Sequence, residues 1–289
     1  MSLFSKDFLE KAEKSKIQMA FSWGKEVRVA PNAINRSSIF GVVRRGKRKR
    51  LKNVVLATIG ETEIAFSGVA LDQGDKDVFY ELLHRAKSGF INAKKEQKSI
   101  EVRFSTREFL RAIDRTESGA SQRWLRDSIE RLSEARIKIK YKDLVYRGPL
   151  IVREIENLDT KDIILDIDKA IGELFTQRTI TKVGWRTRLA LGSRDTAKWL
   201  YDYILSHRAT QANPHRIGLQ KLWNMSHIEP KELTAAEMAQ YKHQIKSAME
   251  TLKEKAVIKS YGLSRAILTF VRSGYLKLWN SERHCSSGS

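Results

Sequence analysis

The clearest indication of the fold in this 289-residue sequence comes from residues 234–271, which read TAAEMAQYKHQIKSAMETLKEKAVIKSYGLSRAILTFV. In its first part apolar side chains recur every three or four residues, which predicts one long amphipathic helix from about Thr234 to Lys255. The apolar positions are Met238, Tyr241, Ile245, Met249 and Leu252. Beyond the helix, residues 257–261 and 265–271 form two apolar runs separated by Gly262, which predicts a β-hairpin.

Two further helices are predicted immediately upstream of this stretch. Asp195 opens a segment whose apolar positions again follow helical spacing, at Ala197, Leu200, Tyr203 and Ile204. A shorter segment, residues 218–225, carries Leu219 and Leu222. The order helix, short helix, long helix, hairpin is typical of a winged helix, in which the long helix enters a major groove and the hairpin touches the flanking backbone.

The same order is predicted once more, earlier in the chain. A hairpin over residues 54–67 precedes a helix from about 77 to 86, a strand over 100–104, a helix from Ser105 to Ile113 and a helix from about 122 to 132. Alternating runs at 137–139, 145–156 and 163–167 predict strands, the second continuing past Gly148 and Pro149. We therefore expect an α+β protein with two tandem winged-helix domains, residues 31–175 and 176–275, a connecting segment at 176–191, an N-terminal arm at 1–30 that includes a short helix within residues 1–20, and a disordered tail at 276–289.

Charge indicates the class of partner. The chain has 54 Lys and Arg against 34 Asp and Glu, a formal net charge of +20. Residues 1–56 hold 14 of the basic and four of the acidic residues, and seven of the nine residues from Arg44 to Lys52 are basic. Such a run predicts a solvated loop, and the excess of positive charge favours a polyanion as the binding partner. Nucleic acid is favoured over a membrane because no amphipathic anchor or lipidation signal accompanies the charge.

Several other classes of protein lack support in the sequence. The single Cys285 excludes an internal disulfide, and the absence of a signal peptide or a long apolar run points to the cytoplasm. Gly41, Gly46 and Lys47 fit most of a phosphate-binding loop, but Arg48 stands where that motif needs Ser or Thr. The histidines show no metal-binding spacing, and His207 at a helix end is expected to be a cation facing the helix dipole. We therefore expect no catalytic residue, no metal and no cofactor.

The expected DNA-binding residues come from three segments: the basic run and the polar faces of the two long helices. Recognition helices present such side chains to base edges and phosphates. The residues are Arg44, Arg45, Lys47, Arg48, Lys49, Arg50, Gln122, Arg123, Arg126, Gln240, Lys242, His243 and Lys246.

Several blocks of the sequence resemble the TrfA-type replication initiators of plasmids. They are residues 36–40 (RSSIF), 66–71 (FSGVAL) with 77–79 (DVF), 202–203 (DY) with 206–208 (SHR), and 241–252 with its Tyr-Lys and Gln-Ile pairs. The resemblance implies two winged helices that bind origin repeats called iterons. It also implies origin melting, helicase loading with host DnaA and DnaB, and control of plasmid copy number through a monomer–dimer equilibrium.

These observations together predict a non-enzymatic replication initiator. Its two winged helices would straddle one iteron, with residues 122–131 and 240–246 in successive major grooves and the basic loop along the phosphates. A transcriptional repressor is an alternative, because winged helices serve both functions and a repressor binds the duplex without opening it. An origin-nicking enzyme or a DNA-dependent ATPase is a third alternative, which no motif supports.

Overall fold

The computed structural model describes residues 24–43, 46, 48–59, 62–94, 96–141, 144–157, 159–169, 171 and 180–273. The predicted arm helix and the predicted tail lie outside these residues. The helices are α1 (Asn32–Asn35), α2 (Gln73–Arg85), α3 (Lys87–Asn92), α4 (Thr106–Ala112), α5 (Gly119–Glu134), α6 (Trp185–Leu189), α7 (Asp195–Leu205), α8 (Leu219–Ser226) and α9 (Ala235–Glu254). The strands are β1 (Val27–Pro31), β2 (Arg50–Ile59), β3 (Thr62–Val69), β4 (Ser99–Ser105), β5 (Arg136–Tyr141), β6 (Leu144–Pro149), β7 (Arg153–Glu156), β8 (Asp162–Asp168), β9 (Ile180–Gly184), β10 (His215–Gly218), β11 (Ile258–Leu263) and β12 (Ile267–Arg272).

The second unit, residues 195–272, follows the predicted order of elements. Helices α7, α8 and α9 are accompanied by a three-stranded antiparallel sheet with the order β10-β12-β11. The long helix begins where its sequence predicts, because the Thr234 side chain accepts from the Glu237 N–H while the Glu237 carboxylate accepts from the Thr234 N–H. Its buried face contains Tyr241, Ile245 and Leu252. The hairpin β11–β12 follows directly.

The first unit, residues 50–168, repeats this topology with one insertion. Helices α2, α4 and α5 are accompanied by a three-stranded sheet with the order β4-β8-β7, the same arrangement as β10-β12-β11. The hairpin β5–β6 that follows α5 belongs instead to a second sheet, β2-β3-β5-β6. The prediction of one continuous strand over residues 145–156 is therefore wrong. The chain leaves one sheet after Pro149, buries Leu150 and Ile151, and enters the other sheet at Arg153.

The helix α5 packs on the inner face of the four-stranded sheet. It contacts β3 and β6, and the buried side chains of Ile64, Phe66 and Ile137 lie on that face. Gly68 permits the close approach, because a Cβ atom there would lie 3.1 Å from the Cα of Ala135 and the glycine has φ +141°. The other face of this sheet is therefore directed away from α5.

The composition of the basic run from Arg44 to Lys52 predicts a loop, but the end of this run is a strand. Strand β2 begins at Arg50 and is an edge strand of its sheet, so Arg50 and Lys52 are in a strand with exposed side chains. Lysine and arginine are tolerated at such an edge because their charged ends reach solvent there.

The two units are joined closely. Strand β1 pairs antiparallel with β9, so the expected boundary at residue 30 falls inside a strand, and the connecting segment contributes both β9 and α6. Helix α2 of the first unit packs against α7 of the second. Each helix that the structure describes is too short or too polar to cross a lipid bilayer.

Candidate nucleic-acid interface

The basic run contributes fewer free cations than its composition suggests. Arg44, Arg45 and Lys47 lie outside the described residues. The guanidinium of Arg48 donates to the carboxylates of Asp72 and Asp75. Arg48 therefore stabilises the start of α2, and a phosphate bound there would have to displace two carboxylates.

Lys49 and Arg50 are different, because both are exposed. Lys49 forms an ion pair with Glu229, and Arg50 forms one with Glu134 at 2.7 Å; both cations keep about two thirds of their side-chain surface in solvent. Ion pairs this exposed contribute about 0–1 kcal/mol. Both cations can therefore exchange a carboxylate for a phosphate at little cost.

The helix α5 has the predicted buried face but little of the predicted basic one. The Arg126 guanidinium binds both carboxylate oxygens of Glu156 at 2.6–3.1 Å, and these hydrogen bonds raise the pKa of Arg126. Arg131 binds the buried carboxylate of Asp75 at 2.8 Å. Two of the cations on this helix are thus neutralised inside the first unit.

The remaining predicted residues of α5 lie near its start. The side-chain amide of Gln122 donates to the carbonyl of Glu117 at 3.2 Å, while its carbonyl oxygen stays available. Arg123 is exposed and forms no ion pair with a described residue. Arg123 is therefore the predicted cation of α5 that is ready to meet a phosphate.

The hairpin β7–β8, which accompanies α5, is acidic. Glu154, Asp159 and Asp162 lie on it or in its turn, together with Glu156. Partial burial raises the pKa of Glu154, and the neighbouring Glu156 and Glu130 add to the effect. A negative hairpin repels phosphates, so the helix-and-hairpin surface of the first unit is poorly suited to bind a nucleic-acid backbone.

The corresponding surface of the second unit carries free cations. Gln240, His243 and Lys246 are exposed on α9, and Lys242 is half-buried beside them. None of these four side chains forms an ion pair with a described residue. They lie on the side of α9 that its buried apolar residues leave free, close to the N-terminal half of the helix.

The hairpin β11–β12 extends this surface. Lys259 and Arg265 are exposed and unpaired among the described residues. The acid Glu250 accepts a hydrogen bond from the Tyr261 hydroxyl, and partial burial together with this carboxylate raises the pKa of Tyr261 to about 12. The helix-and-hairpin surface of the second unit is therefore cationic where that of the first unit is acidic.

A buried charge cluster, defined here as Lys76, Asp77, Arg188, Lys198 and Asp202, fastens the two units together. Arg188 is fully buried and donates to Asp77 and to Asp202, each at 2.7 Å. Lys198 binds the second oxygen of Asp77, and the Lys76 ammonium lies 2.7 Å from Asp202. Since these residues come from α2, α6 and α7, the cluster holds the first helix of one unit against the first helix of the other.

Burial changes how these groups ionise. Desolvation lowers the pKa of Lys76 to about 8, against the opposing effect of Asp202. For Arg188, the nearby carboxylates of Asp202 and Asp77 outweigh desolvation and raise the pKa. The Tyr80 hydroxyl lies 2.9 Å from Asp202 Oδ2, the oxygen that Arg188 also binds.

Sequence reasoning missed this cluster. Asp77 is explained equally well as an acid in the first turn of a helix, and Arg188 lies in a segment without clear periodicity. The available signal is in α7, where Lys198 and Asp202 interrupt an otherwise apolar helix at a spacing of four residues. Charged residues on a buried helix face require partners, so their presence predicts an ionic contact.

In the described ranges, His, Cys, Asp and Glu side chains nowhere gather in groups of three that could hold a metal ion.

The sequence matches the model of a known protein family, whereas its likeness to solved structures concerns the fold. The family model described as TrfA protein matches residues 4–268. No curated protein matches the sequence significantly.

Two solved structures share the fold. A crystal structure of RctB domains 2-3 (RctB-155-483) superimposes with a TM-score of 0.50 at 12% identity, covering 83% of this chain and 96% of that one. A selenomethionine derivative of RctB domains 2 and 3 gives a TM-score of 0.52 at 12% identity, covering 85% and 99%. At this identity the likeness concerns the fold alone.

Proposed function

The chain belongs to the TrfA family of plasmid replication initiators, and from that membership we propose that it binds repeated duplex sequences, the iterons, at a plasmid origin. The observation that carries the proposal is the unpaired polar and cationic face of α9, with Gln240, Lys242, His243 and Lys246. Amide and ammonium groups of this kind hydrogen-bond base edges and phosphates in a major groove.

We propose that both units are winged helices with unequal roles. The shared strand order and the three accompanying helices support the assignment. In the second unit, α9 reads the bases while Lys259 and Arg265 touch the backbone beside it. In the first unit, Arg123 supplies a backbone contact, and the buried charge cluster keeps the two units at a fixed separation.

The later steps of initiation are proposed from family membership. They are melting of the origin, loading of the helicase with host DnaA and DnaB, and regulation of copy number through a monomer–dimer equilibrium. In this proposal the protein acts in the cytoplasm, uses no cofactor and is not an enzyme, because it acts by binding and not by catalysing a reaction.

Selection from a random duplex pool tests sequence-specific binding directly. The wild-type protein should enrich one motif, and Lys242→Gln/Lys246→Gln should lose that enrichment because α9 then lacks its cations. The control Lys94→Gln/Lys98→Gln removes the same charge from exposed positions outside the second unit and should enrich the wild-type motif. Enrichment of no motif by the wild-type protein, or of the same motif by all three proteins, would contradict the proposal.

Binding should also be strongly salt-dependent. With roughly 6–10 phosphates neutralised, affinity should fall by about 10³- to 10⁵-fold between 50 and 200 mM salt.

Permanganate reactivity of supercoiled DNA that carries the selected repeats separates an initiator from a repressor, since only an initiator exposes unpaired thymines. Incubation of the same DNA with Mg²⁺ and ATP should leave it uncut and the ATP unhydrolysed; cleavage or hydrolysis would mean that the protein is an enzyme.

A further inference from the structure

The outer face of the sheet β2-β3-β5-β6 carries a second concentration of cations, separate from α9. Strand register places Lys138 opposite Arg147, with Ala65 on the other side of Lys138. In the neighbouring rows, Lys140 lies between Glu63 and Val145, and Arg136 lies between Ser67 and Pro149. We call Arg136, Lys138, Lys140 and Arg147 the sheet cations. They share one face because directly paired residues of an antiparallel sheet point the same way.

Within the part of the chain that the structure describes, the sheet cations form no ion pairs. Glu63 is the one acid in these three rows. Arg136, Lys140 and Arg147 are exposed. Like charges placed directly opposite each other, as at Lys138 and Arg147, destabilise a sheet in the absence of an anion. An anion that bridges the strands would remove this repulsion.

The position of the face distinguishes it from the helix-and-hairpin surface of the first unit. Helix α5 packs on the inner side of the same sheet, so the sheet cations are directed away from α5. On the surface around α5, Arg126 is neutralised by Glu156 and Arg131 by Asp75, which leaves Arg123 as the exposed cation there. The sheet face is therefore the more cationic of these two surfaces of the first unit.

We propose that the outer face of this sheet binds the phosphate backbone of duplex DNA, at a stretch other than the one that lies along α5. The ligand must be a polyanion, because four cations that pair with no described acid occupy three adjacent rows. Duplex is favoured over single strands because the described side chains in these rows include no aromatic ring on which a base could stack. The contact is independent of base sequence, since the strands offer cations and not groups arranged to read base edges.

The test compares two triple variants with equal charge loss. Lys138→Gln/Lys140→Gln/Arg147→Gln removes three sheet cations, and Lys94→Gln/Lys98→Gln/Arg103→Gln removes three exposed cations elsewhere in the first unit. Binding of a random-sequence duplex is measured over a salt series. The sheet variant should lower the magnitude of the log–log salt slope by about 2 to 3 and the affinity at 0.1 M salt by about 10- to 100-fold. The control should change the affinity by less than about threefold.

Two further measurements keep the outcome decisive. Relief of like-charge repulsion should leave the melting temperature of the sheet variant equal to or above that of the wild type, which excludes unfolding as the cause of weaker binding. The sheet variant should also enrich the wild-type motif in the random-pool selection, because α9 is intact. Equal affinity losses in the two triple variants, or a loss confined to a single-stranded oligonucleotide, would overturn this inference and leave the proposed reading by α9 standing.

Discussion

The last helices of the two units, α5 and α9, occupy the same position in the same topology, but their cations have different surroundings. On α5, Arg126 is bound by Glu156 and Arg131 by Asp75. On α9, Lys242 and Lys246 meet no acid among the described residues. A shared topology therefore does not give a shared surface charge. Charge that is satisfied inside the protein stabilises the fold, and charge left in solvent is available to a partner.

The hairpins follow the same division. The first unit has an acidic hairpin, β7–β8, whereas Lys259 and Arg265 lie on the hairpin of the second unit. Each difference alone is small, but helix and hairpin together reverse the sign of the surface. We infer that the second unit makes the dominant sequence-specific contact and that the first unit relies on its sheet.

The largest expected effect concerns the junction of the two units. Arg188→Met leaves Asp77 and Asp202 buried without their main partner and should lower the free energy of unfolding by about 3–5 kcal/mol. The matched control is Arg186→Met on the same helix, whose side chain is 86% exposed. It should cost less than about 1 kcal/mol. Urea titration of both variants measures the difference, and similar losses would show that the cluster does not hold the units together.

A smaller effect is expected when the first unit is made to resemble the second. Glu156→Gln releases Arg126 and should raise the affinity for random-sequence duplex by roughly threefold to tenfold at 0.1 M salt. Glu154→Gln removes the same charge two residues away without releasing Arg126, and should raise affinity by less than about twofold. Fluorescence anisotropy with a labelled duplex measures both; equal gains would mean that the freed arginine makes no contact.

The smallest effect concerns pH and involves partly buried histidines of both units. Burial lowers the pKa of His207 to about 4, and burial with nearby cations lowers that of His84 to about 3. The unfolded chain binds protons on both near pH 6.5 while the folded chain does not, so stability falls as pH drops below 6.5. Burial raises the pKa of Asp195 to about 6, which acts in the opposite direction.

The variant His207→Gln separates the contribution of His207 from those of His84 and Asp195. Between pH 7.5 and 5.5, the wild type should lose about 1 kcal/mol or less of unfolding free energy to His207, and His207→Gln should lose correspondingly less. Chemical denaturation at the two pH values measures the loss. Identical losses in the two proteins would indicate that His207 binds protons equally in the folded and unfolded chains.

Much of the local structure was predictable. The alternation of Ile163, Leu165 and Ile167 in β8, and the helical spacing from Tyr241 to Leu252, identify these elements because each pattern reports which side is buried. Thr234 and Glu237, spaced as in a capping box, mark the start of α9. The family was correctly identified from short blocks whose order agrees with the match over residues 4–268.

Pairing between distant residues was not predictable. The sequence predicts that the strands directly after α5 close the first unit. In the structure, β8 does so by pairing with β4, about sixty residues earlier. Arg126 finds Glu156 thirty residues later, so no periodicity could show that its charge is neutralised. His207 follows the same rule: its place after α7 predicts a cation, but burial, which depends on the packed fold, keeps it neutral.

In the proposed complex, α9 meets DNA with free cations while α5 meets it with few. The most direct measurement is the salt dependence of binding to the selected repeat, compared between Lys242→Gln/Lys246→Gln and Arg123→Gln/Arg126→Gln. The α9 variant should lower the magnitude of the log–log slope by about two, and the α5 variant by at most about one. Equal slopes in the two variants, or a larger change from the α5 variant, would contradict the account.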